Sequence, residues 1–241
     1  MRIIAISQNF KHDLLQQYPY KIEMHAHSYP GSSCSEVSPE EVVRVFKERG
    51  YDAIVLTNHF INKADKETVI NRQLTDFQQA FQAGEKLGLK VLFGTEARFD
   101  ENPNDYLIYG VNVEILEQVY DYFESGVEAF RKNVPLNHSV FVQAHPYRKP
   151  SVPIEPSLLD GVEVYNLHPN HNSNLSMAAL YASENPSLIV TAGTDFHHNV
   201  RGHCGICAIR TPVLPNDSFH LAEILRAKDY VLQIYDAILI P

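Results

Sequence analysis

Short apolar runs alternate with longer polar segments along most of the chain. Runs of this length between turn residues and polar segments are typical of buried strands, whereas the segments between them are long enough for helices. Strands that alternate with helices predict an α/β fold with a largely parallel sheet and right-handed crossovers. The predicted strands cover residues 20–24, 52–57, 89–94, 106–110, 139–144, 160–165 and 187–192, with one more near the carboxyl terminus.

The predicted helices begin and end at recognisable residues. Ser38-Pro39-Glu40-Glu41 combines a serine cap, a proline at the first helical position and a capping-box glutamate, and Gly50 ends this helix. Residues 1–19 are a polar lead-in without an assigned role, and the whole chain, 1–241, is expected to be a single domain. Further helices are predicted near residues 66–87, 114–133, 175–183 and 219–227.

One connection breaks the alternation. Only the short polar segment from Ala97 to Asn104, which contains Pro103, separates Glu96 from the strand at 106–110. Parallel neighbours need a crossover of about a dozen residues or more, whereas antiparallel neighbours need only a short loop. The strand at 106–110 is therefore predicted to run antiparallel, which places Asp105 at the same end of the sheet as Glu96.

Histidines and acids follow the predicted strands at their carboxyl ends. In an extended segment residues i and i+2 face the same side, so His25 and His27 could bind one ion together. Five strand ends carry such residues, and a closed barrel brings five ends together more easily than an open sheet does. We therefore predict a barrel. Carboxylate and imidazole ligands suit zinc, manganese or iron(II); the alternative is separate histidines satisfied by backbone groups.

Composition limits the possible partners. With 241 residues, 44% of them hydrophobic, the chain can fill a sizeable core. A net charge of −9 argues against a surface that binds long nucleic acid, although a local pocket for one phosphate is compatible with it. No apolar run approaches a membrane span or a signal peptide, which predicts a cytoplasmic protein without a membrane partner. Three cysteines form no disulfide framework, and Cys204 and Cys207 are expected to be structural.

The ordered series of motifs resembles the PHP (polymerase and histidinol phosphatase) superfamily. The resemblance runs from about Tyr20 to the carboxyl terminus. It implies a distorted (β/α)7 TIM-like barrel with two or three divalent ions, Zn, Mn or Fe, that hydrolyses phosphoesters. The motifs are His25-Ala-His27, Thr57-Asn-His59, Gly94-Thr-Glu96, Ala144-His145-Pro146 and Gly193-Thr-Asp195-Phe-His197.

The resemblance also implies roles for single residues. Glu96 would bridge from the first ion to a second, which His145 shares, while His59 and His197 would hold a third. Asp195 and His197 are also assigned a direct part in the reaction. The first ion would be held by four residues: His25, His27, Glu96 and Asp195.

Two positions differ from many members of the superfamily. The loop after the first motif offers Ser32-Ser33-Cys34-Ser35 where an aspartate or histidine is common, which concerns the third ion. Asp105 stands near the start of the fourth strand, where a histidine is common. Because a carboxylate can replace an imidazole on zinc or manganese, we predict that Asp105 is a ligand or near-ligand of the second ion. The alternative is that it only caps a turn.

Several residues are candidates for contacts with substrate. Arg148 is the candidate for a bidentate phosphate clamp, and Arg201 is a second candidate that could equally be a surface residue. Glu163 and Asn166 are expected to support the metal ligands or contact substrate. The pair His168 and His171 could line the pocket or be ordinary loop residues.

The leading hypothesis is a metal-dependent phosphatase or phosphodiesterase that uses metal-activated water on a small phosphorylated substrate. Histidinol phosphate, a nucleotide, a short oligonucleotide and a phosphotyrosine peptide are all compatible. Two other functions remain open at this point. One is a non-catalytic metal- or ligand-binding module, against which the intact ligand set counts. The other is a hydrolase of non-phosphate bonds, although the lysine ligand that such barrels often use is not found at a strand end.

Overall fold

A computed structural model describes residues 8–198 and 206–241. Its strands lie close to the predicted apolar runs, and the chain forms further strands near its carboxyl terminus. In chain order they are β1 (Tyr20–Ala26), β2 (Ala53–Leu56), β3 (His59–Ile61), β4 (Lys90–Arg98), β5 (Tyr106–Tyr109), β6 (Val140–Gln143), β7 (Gly161–Asn166), β8 (Ile189–Gly193), β9 (Cys207–Thr211), β10 (Val231–Ile234) and β11 (Ala237–Leu239).

The helices occupy the connections between these strands. Ser38 caps α2 as predicted, since its side chain accepts a hydrogen bond from the Glu41 N–H at 3.2 Å. Gly88 ends α3 in the left-handed conformation, directly after the helix predicted near residues 66–87. The α-helices are α1 (Gln8–Gln17), α2 (Pro39–Glu48), α3 (Lys66–Leu87), α4 (Val113–Asp121), α5 (Gly126–Asn133), α6 (Leu175–Glu184) and α7 (Ser218–Ala227).

The described strands form one mixed sheet in the order β11-β10-β9-β1-β2-β4-β5-β6-β7-β8, with β3 paired to β4 outside this path. Strands β1, β2 and β4 are parallel neighbours, as are β6, β7 and β8. Strand β5 runs antiparallel to both β4 and β6. The predicted antiparallel strand is therefore confirmed, and its start lies beside Glu96.

The sheet is curled, so its last parallel strand returns towards the first. The His27 N–H donates to the Phe196 carbonyl at 2.9 Å, and the Phe196 N–H donates to the His25 carbonyl at 3.2 Å. The first half of β1 pairs instead with the antiparallel strand β9. The prediction of a mixed α/β fold is confirmed, whereas no continuous ladder within the described residues closes a regular seven-stranded barrel.

Four local features differ from the prediction. The lead-in contains α1, whose Leu14 packs against β10 and β11. The helix predicted at 114–133 is divided by Gly126, which has a φ of 86° that favours glycine. Strand β3 and the β10–β11 hairpin were not predicted. A three-residue strand is too short to show a period in the sequence, and β3 is held by its pairing with β4.

Helix α2 and an aromatic cluster illustrate how the core is built. Val42, Val43, Val45 and Phe46 are buried, as predicted for the apolar face of α2. Beneath β5 and β6, the Tyr106 and Phe141 rings stack with centroids 4.9 Å apart. Phe130 from α5 also packs on the Phe141 ring at 5.7 Å. These rings fix the start of β5, and with it Asp105, against β6.

In the part of the chain that the structure describes, none of the helices has both the length and the apolar character needed to cross a membrane.

Replacing Phe141 tests the aromatic cluster. Because the Phe141 ring is fully buried, Phe141→Ala should lower the free energy of unfolding by about 3–5 kcal/mol. The matched control is Phe81→Ala, since the Phe81 side chain is 40% exposed and its loss should cost less than about 1 kcal/mol. Urea denaturation followed by circular dichroism measures both values. Equal losses in the two variants would contradict this packing.

Candidate metal centre

The strand ends bring all eight predicted metal ligands to one place. Within each group of three, one ligand atom per residue lies within 4.8 Å of the others, and the groups share members, so they form one continuous cluster. The four groups are His25, His27 and Asp195; His25, Glu96 and His145; His27, His59 and His197; and His59, Glu96 and Asp105.

Glu96 lies at the middle of this cluster, and its two carboxylate oxygens face different imidazoles. Oε1 lies 3.3 Å from His25 Nε2 and 3.2 Å from His145 Nε2. Oε2 lies 2.8 Å from His59 Nδ1 and 3.4 Å from His27 Nε2. A carboxylate with ligand nitrogens on both of its oxygens has the arrangement required to bridge two ions.

Several buried atoms of the cluster have no hydrogen-bond partner. They include His25 Nε2 and His27 Nε2. Asp195 Oδ1 completes the same face, at 3.5 Å from His25 Nε2 and 3.3 Å from His27 Nε2. Leaving buried polar atoms unsatisfied is costly, so atoms that converge in this way fit a bound cation. The residues present therefore suit the ions that the sequence implies.

The opposite ring nitrogens of His25 and His27 are held by other side chains. His25 Nδ1 lies 2.9 Å from Glu163 Oε1, and His27 Nδ1 lies 2.9 Å from Ser32 Oγ. Such partners fix the orientation and tautomer of a ligating imidazole, which leaves Nε2 free to bind an ion. The other oxygen of Glu163 accepts from the His145 N–H at 3.1 Å and from Asn166 Nδ2 at 2.9 Å. Glu163 thus contacts His25 and His145, and Asn166 contacts Glu163, while their role in supporting metal ligands stays a prediction.

The charges in the cluster stabilise the ionised carboxylates. Burial opposes ionisation of Glu96, but His59 and His25 together hold its pKa well below the usual range. Burial also opposes ionisation of Asp195, whose pKa is kept low chiefly by His25, His27 and His197. For His27, burial and the neighbouring His197 and His59 rings lower the pKa well below the usual value, which keeps the ring neutral. Burial opposes protonation of His25 and His59, but neighbouring carboxylates, chiefly Glu163 for His25 and Glu96 for His59, raise the pKa of each ring. A divalent ion would bind both rings in their neutral form, beside the ionised carboxylates.

Two ligand positions have unusual backbone conformations. His145 has a φ of 28° and Asp195 a φ of 53°. Non-glycine residues with positive φ cost about 1–3 kcal/mol each, and such residues concentrate at functional sites. The unfavourable backbone conformation at both residues indicates that the surrounding fold imposes the directions in which their side chains point.

Asp105 is buried at the edge of the cluster. Its Oδ2 lies 3.9 Å from His145 Nε2. Both of its oxygens also accept hydrogen bonds from Arg98, each at 2.7 Å. Asp105 is thus close to the predicted second ion and does not point to solvent, while Arg98 is a partner that sequence reasoning did not identify.

Arg148 lines the same site but is already engaged by protein groups. Its Nη1 donates to Asp195 Oδ2 at 2.6 Å, and its Nη2 donates to Asn166 Oδ1 and to Ser173 Oγ. Nε also donates to Ser173 Oγ at 3.3 Å. Among the described residues, these bonds leave one of the five N–H groups without a partner. A bidentate phosphate clamp by Arg148 stays a prediction that would require some of these bonds to open.

The loop after β1 is ordered by a buried network that sequence reasoning did not find. Asp76 Oδ2, on α3, accepts from Ser28 Oγ, the Gly31 N–H and Asn58 Nδ2 at 2.7, 2.8 and 3.1 Å. A β-carbon at Gly31 would lie 2.1 Å from Asn58 Nδ2, so only glycine permits this approach. The network positions Ser32, which supports His27. Its members lie far apart in sequence and have no recognisable spacing.

Cys34 contacts the His59 and His197 side of the cluster. Its Sγ lies 3.2 Å from His197 Nε2. Burial alone would raise the pKa of the Cys34 thiol, but hydrogen bonds with His197 and His59 lower it to about 6. Sequence reasoning treated this loop only as a difference from related proteins. The contact could have been anticipated from the position of Cys34 in the loop that follows the first motif.

A cavity of about 410 Å³ opens over the cluster. His168 and His171 both line it, and their rings lie 4.4 Å apart, so they are pocket residues. Arg201 and Cys204 lie outside the described residues. The cavity is also lined by Glu96, Asp105, His145, Arg148, Asp195 and His197.

Comparison with known families agrees with this site. The model of the PHP domain family matches residues 23–150, just over half of the chain. The protein belongs to the PHP domain family. The matched region contains His25, His27, His59, Glu96 and His145, and the described structure adds Asp195 and His197 from beyond it.

Curated relatives are much longer proteins. The PolC-type DNA polymerase III of Streptococcus mutans is 27% identical over 112 residues, which cover 46% of this chain and 7% of the polymerase. The PolC-type enzyme of Streptococcus sanguinis is 22% identical over 120 residues, covering 50% of this chain and 7% of the polymerase. The chain thus matches only a small part of these polymerases.

Two solved structures share the fold. A two-domain protein of Bacteroides vulgatus, described as containing a predicted PHP-like metal-dependent phosphoesterase, has a TM-score of 0.63 at 18% identity, covering 91% of this chain and 66% of its own. A Bifidobacterium adolescentis protein with the provisional name of metal-dependent phosphoesterase has a TM-score of 0.50 at 16% identity, covering 75% and 89%. At these identities the similarity establishes the fold alone.

Replacing Asp105 tests its predicted role at the second ion. Asp105→Asn keeps the size of the side chain but removes its charge, so the affinity for the weaker-bound ion should fall about tenfold or more. Titration of metal-free protein with manganese, followed by calorimetry, measures this affinity. The control is Asp100→Asn, which alters an exposed acid beyond the end of β4. Unchanged stoichiometry and affinity in Asp105→Asn would assign Asp105 to the Arg98 ion pair alone.

Proposed function

We propose that the protein is a metal-dependent hydrolase of phosphoesters that acts on a small phosphorylated compound. The observation that carries this proposal is the Glu96 carboxylate, whose two oxygens each face imidazoles from different strand ends. The family assignment and the convergent unpartnered atoms of His25 and His27 support it. Phosphatase and phosphodiesterase activity are both compatible with this arrangement.

The proposed assignment of ligands follows the groups in the cluster. His25, His27, Glu96 and Asp195 would hold the first ion. Glu96, His145 and Asp105 would hold the second. His59 and His197, next to His27, would hold a third. Carboxylate and imidazole ligands of this kind are compatible with zinc, manganese or iron(II).

Divalent ions bound here supply Lewis acidity towards a phosphoryl oxygen and lower the pKa of a water molecule. The chain's own residues would keep the ligands in place and bind the substrate. Arg148 holds Asp195 and Asn166, so it positions a ligand; its remaining N–H is available to a phosphate oxygen. His168 and His171 line the cavity above the cluster and are positioned to contact the rest of the substrate.

We also propose that β1, β2 and β4–β8 form a distorted seven-stranded barrel of the PHP type. The two backbone hydrogen bonds between the His25–His27 segment and Phe196 support this closure. A barrel closed only at this end would draw the strand ends together where the ligands lie.

The proposed activity depends on bound metal. Protein purified without chelators should contain zinc, manganese or iron, as measured by elemental analysis. Removing the metal should abolish hydrolysis of p-nitrophenyl phosphate or bis(p-nitrophenyl) phosphate, and adding manganese or zinc should restore it. Failure to bind metal in both purification and reconstitution would contradict the metal centre. Bound metal without hydrolysis of any phosphoester in a metabolite panel would favour a binding module.

Glu96→Gln tests the proposed bridging role of the Glu96 carboxylate. The amide keeps the shape of the side chain but loses the charge needed to bridge two ions. We expect the loss of at least one bound ion, with kcat lower by about 100-fold or more. Glu85→Gln, at an exposed position of α3, should change neither quantity.

Two substitutions of Arg148 distinguish its contact with Asp195 from a direct contact with phosphate. Because Arg148 holds Asp195, Arg148→Ala should weaken binding of the first ion as well as reduce kcat/KM. Arg148→Lys should restore part of the ion affinity through its charge, but not the bonds to Asn166 and Ser173. Unchanged metal affinity with a raised KM in both variants would instead support the phosphate clamp.

A further inference from the structure

A second cavity adjoins the metal centre. It measures about 290 Å³ and shares Cys34, His59 and Arg98 with the 410 Å³ cavity over the cluster. Its size is near the lower end for small-ligand pockets. A molecule with a reacting group over the cluster could therefore extend into this second cavity past His59.

The lining of the second cavity is basic. Lys63 follows β3, Arg72 lies on α3 and Arg98 ends β4, and all three reach the cavity. The other lining residues are Gly31, Ser33, Cys34, His59, Ile61, Val69 and Gln73, so this lining contains no aspartate or glutamate. This local excess of positive charge contrasts with the net charge of −9 for the whole chain.

Two of these cations have no counterion among residues 8–198 and 206–241. Arg98 is paired with Asp105. Within the part of the chain that the structure describes, Lys63 and Arg72 make no side-chain hydrogen bond or ion pair. Other exposed cations do have acidic partners, for example Arg44 with Glu48 and Lys66 with Asp121. Unpaired cations that line one concave cavity produce a positive potential that attracts an anionic group.

The second cavity is connected to the centre through His59. Gln73 Nε2, from α3, donates to the His59 carbonyl at 2.8 Å. This bond ties α3, which also carries Arg72, to His59, a candidate metal ligand. Arg98 connects them a second time, because it lines both cavities and binds Asp105. The two cavities therefore adjoin each other at His59 and Arg98.

We propose that this cavity, defined by Lys63, Arg72 and Arg98, binds a second phosphate group of the substrate. The inference rests on the proposed function and makes it narrower: the preferred substrates carry two phosphate groups, one over the metal cluster and one beside Lys63 and Arg72. A phosphate suits this pair because arginine offers a planar fork and lysine a compact charge. The second phosphate can come from a bisphosphorylated sugar or from the next linkage of a short oligonucleotide.

The test compares three probes that share one scaffold. They are thymidine 5′-monophosphate, thymidine 3′,5′-bisphosphate and the dinucleotide pTpT, all assayed with the metal-loaded protein. The measured quantity is the ratio of kcat/KM for each two-phosphate probe to that for the monophosphate. We expect this ratio to exceed about 10 in the wild type, and to fall about tenfold or more in Arg72→Gln combined with Lys63→Gln. Lys132→Gln, an exposed cation on α5, should leave the ratio unchanged.

The outcomes separate the subsite from the proposed function. A ratio near one in the wild type, or one unaffected by the double substitution, overturns the subsite while hydrolysis itself still supports the proposed function. A preference for the bisphosphate over pTpT assigns the second phosphate to a small metabolite, and the reverse preference assigns it to an oligonucleotide. If no probe is hydrolysed, calorimetry decides: bisphosphate binding about tenfold tighter than monophosphate binding, lost in the double variant, supports the subsite, and equal binding overturns it.

Discussion

The buried carboxylate of Glu96 is the constraint on which the rest of the site depends. A charged group without solvent is tolerated only when opposite charges or hydrogen bonds compensate it. Glu96 obtains this compensation from imidazoles on other strand ends, which hold its pKa low. Because those imidazoles come from different strand ends, the curl of the sheet is needed to bring them together around the Glu96 carboxylate.

Support for the ligands comes from residues that serve more than one of them. Glu163 binds the His25 ring and the backbone of His145, and Ser32 binds the His27 ring and the backbone of His59. A β-carbon at Gly193 would lie 2.4 Å from His25 Cβ, so β8 approaches β1 closely at this level. Since each support fixes two ligands, the centre behaves as one unit, and a substitution beneath it should affect several ligands together.

The sequence located the side chains that converge at the strand ends because all of them except Asp105 follow an apolar run and are therefore visible locally. It also predicted the direction of β5, since the length of a connection limits how two strands can pair. It did not predict that Arg98 binds Asp105 or that Arg148 binds Asp195, because either partner could have paired with other groups. The Asp76 network and strand β3 were not predicted either. Both are defined by contacts between residues that are distant in sequence, and not by a periodic pattern of apolar residues.

The return of the chain at Phe196 has a consequence for how the protein is made. Asp195 and His197 flank the residue whose backbone joins β1, so the last ligands arrive only after most of the chain has been synthesised. Until then, His25, His27 and Glu96 would be an incomplete part of the proposed ligand set and would bind ions weakly and without geometric selection. Tight metal uptake would thus mark the completion of folding during biosynthesis, and the cell's supply of each metal at that moment would influence which ion the finished protein carries.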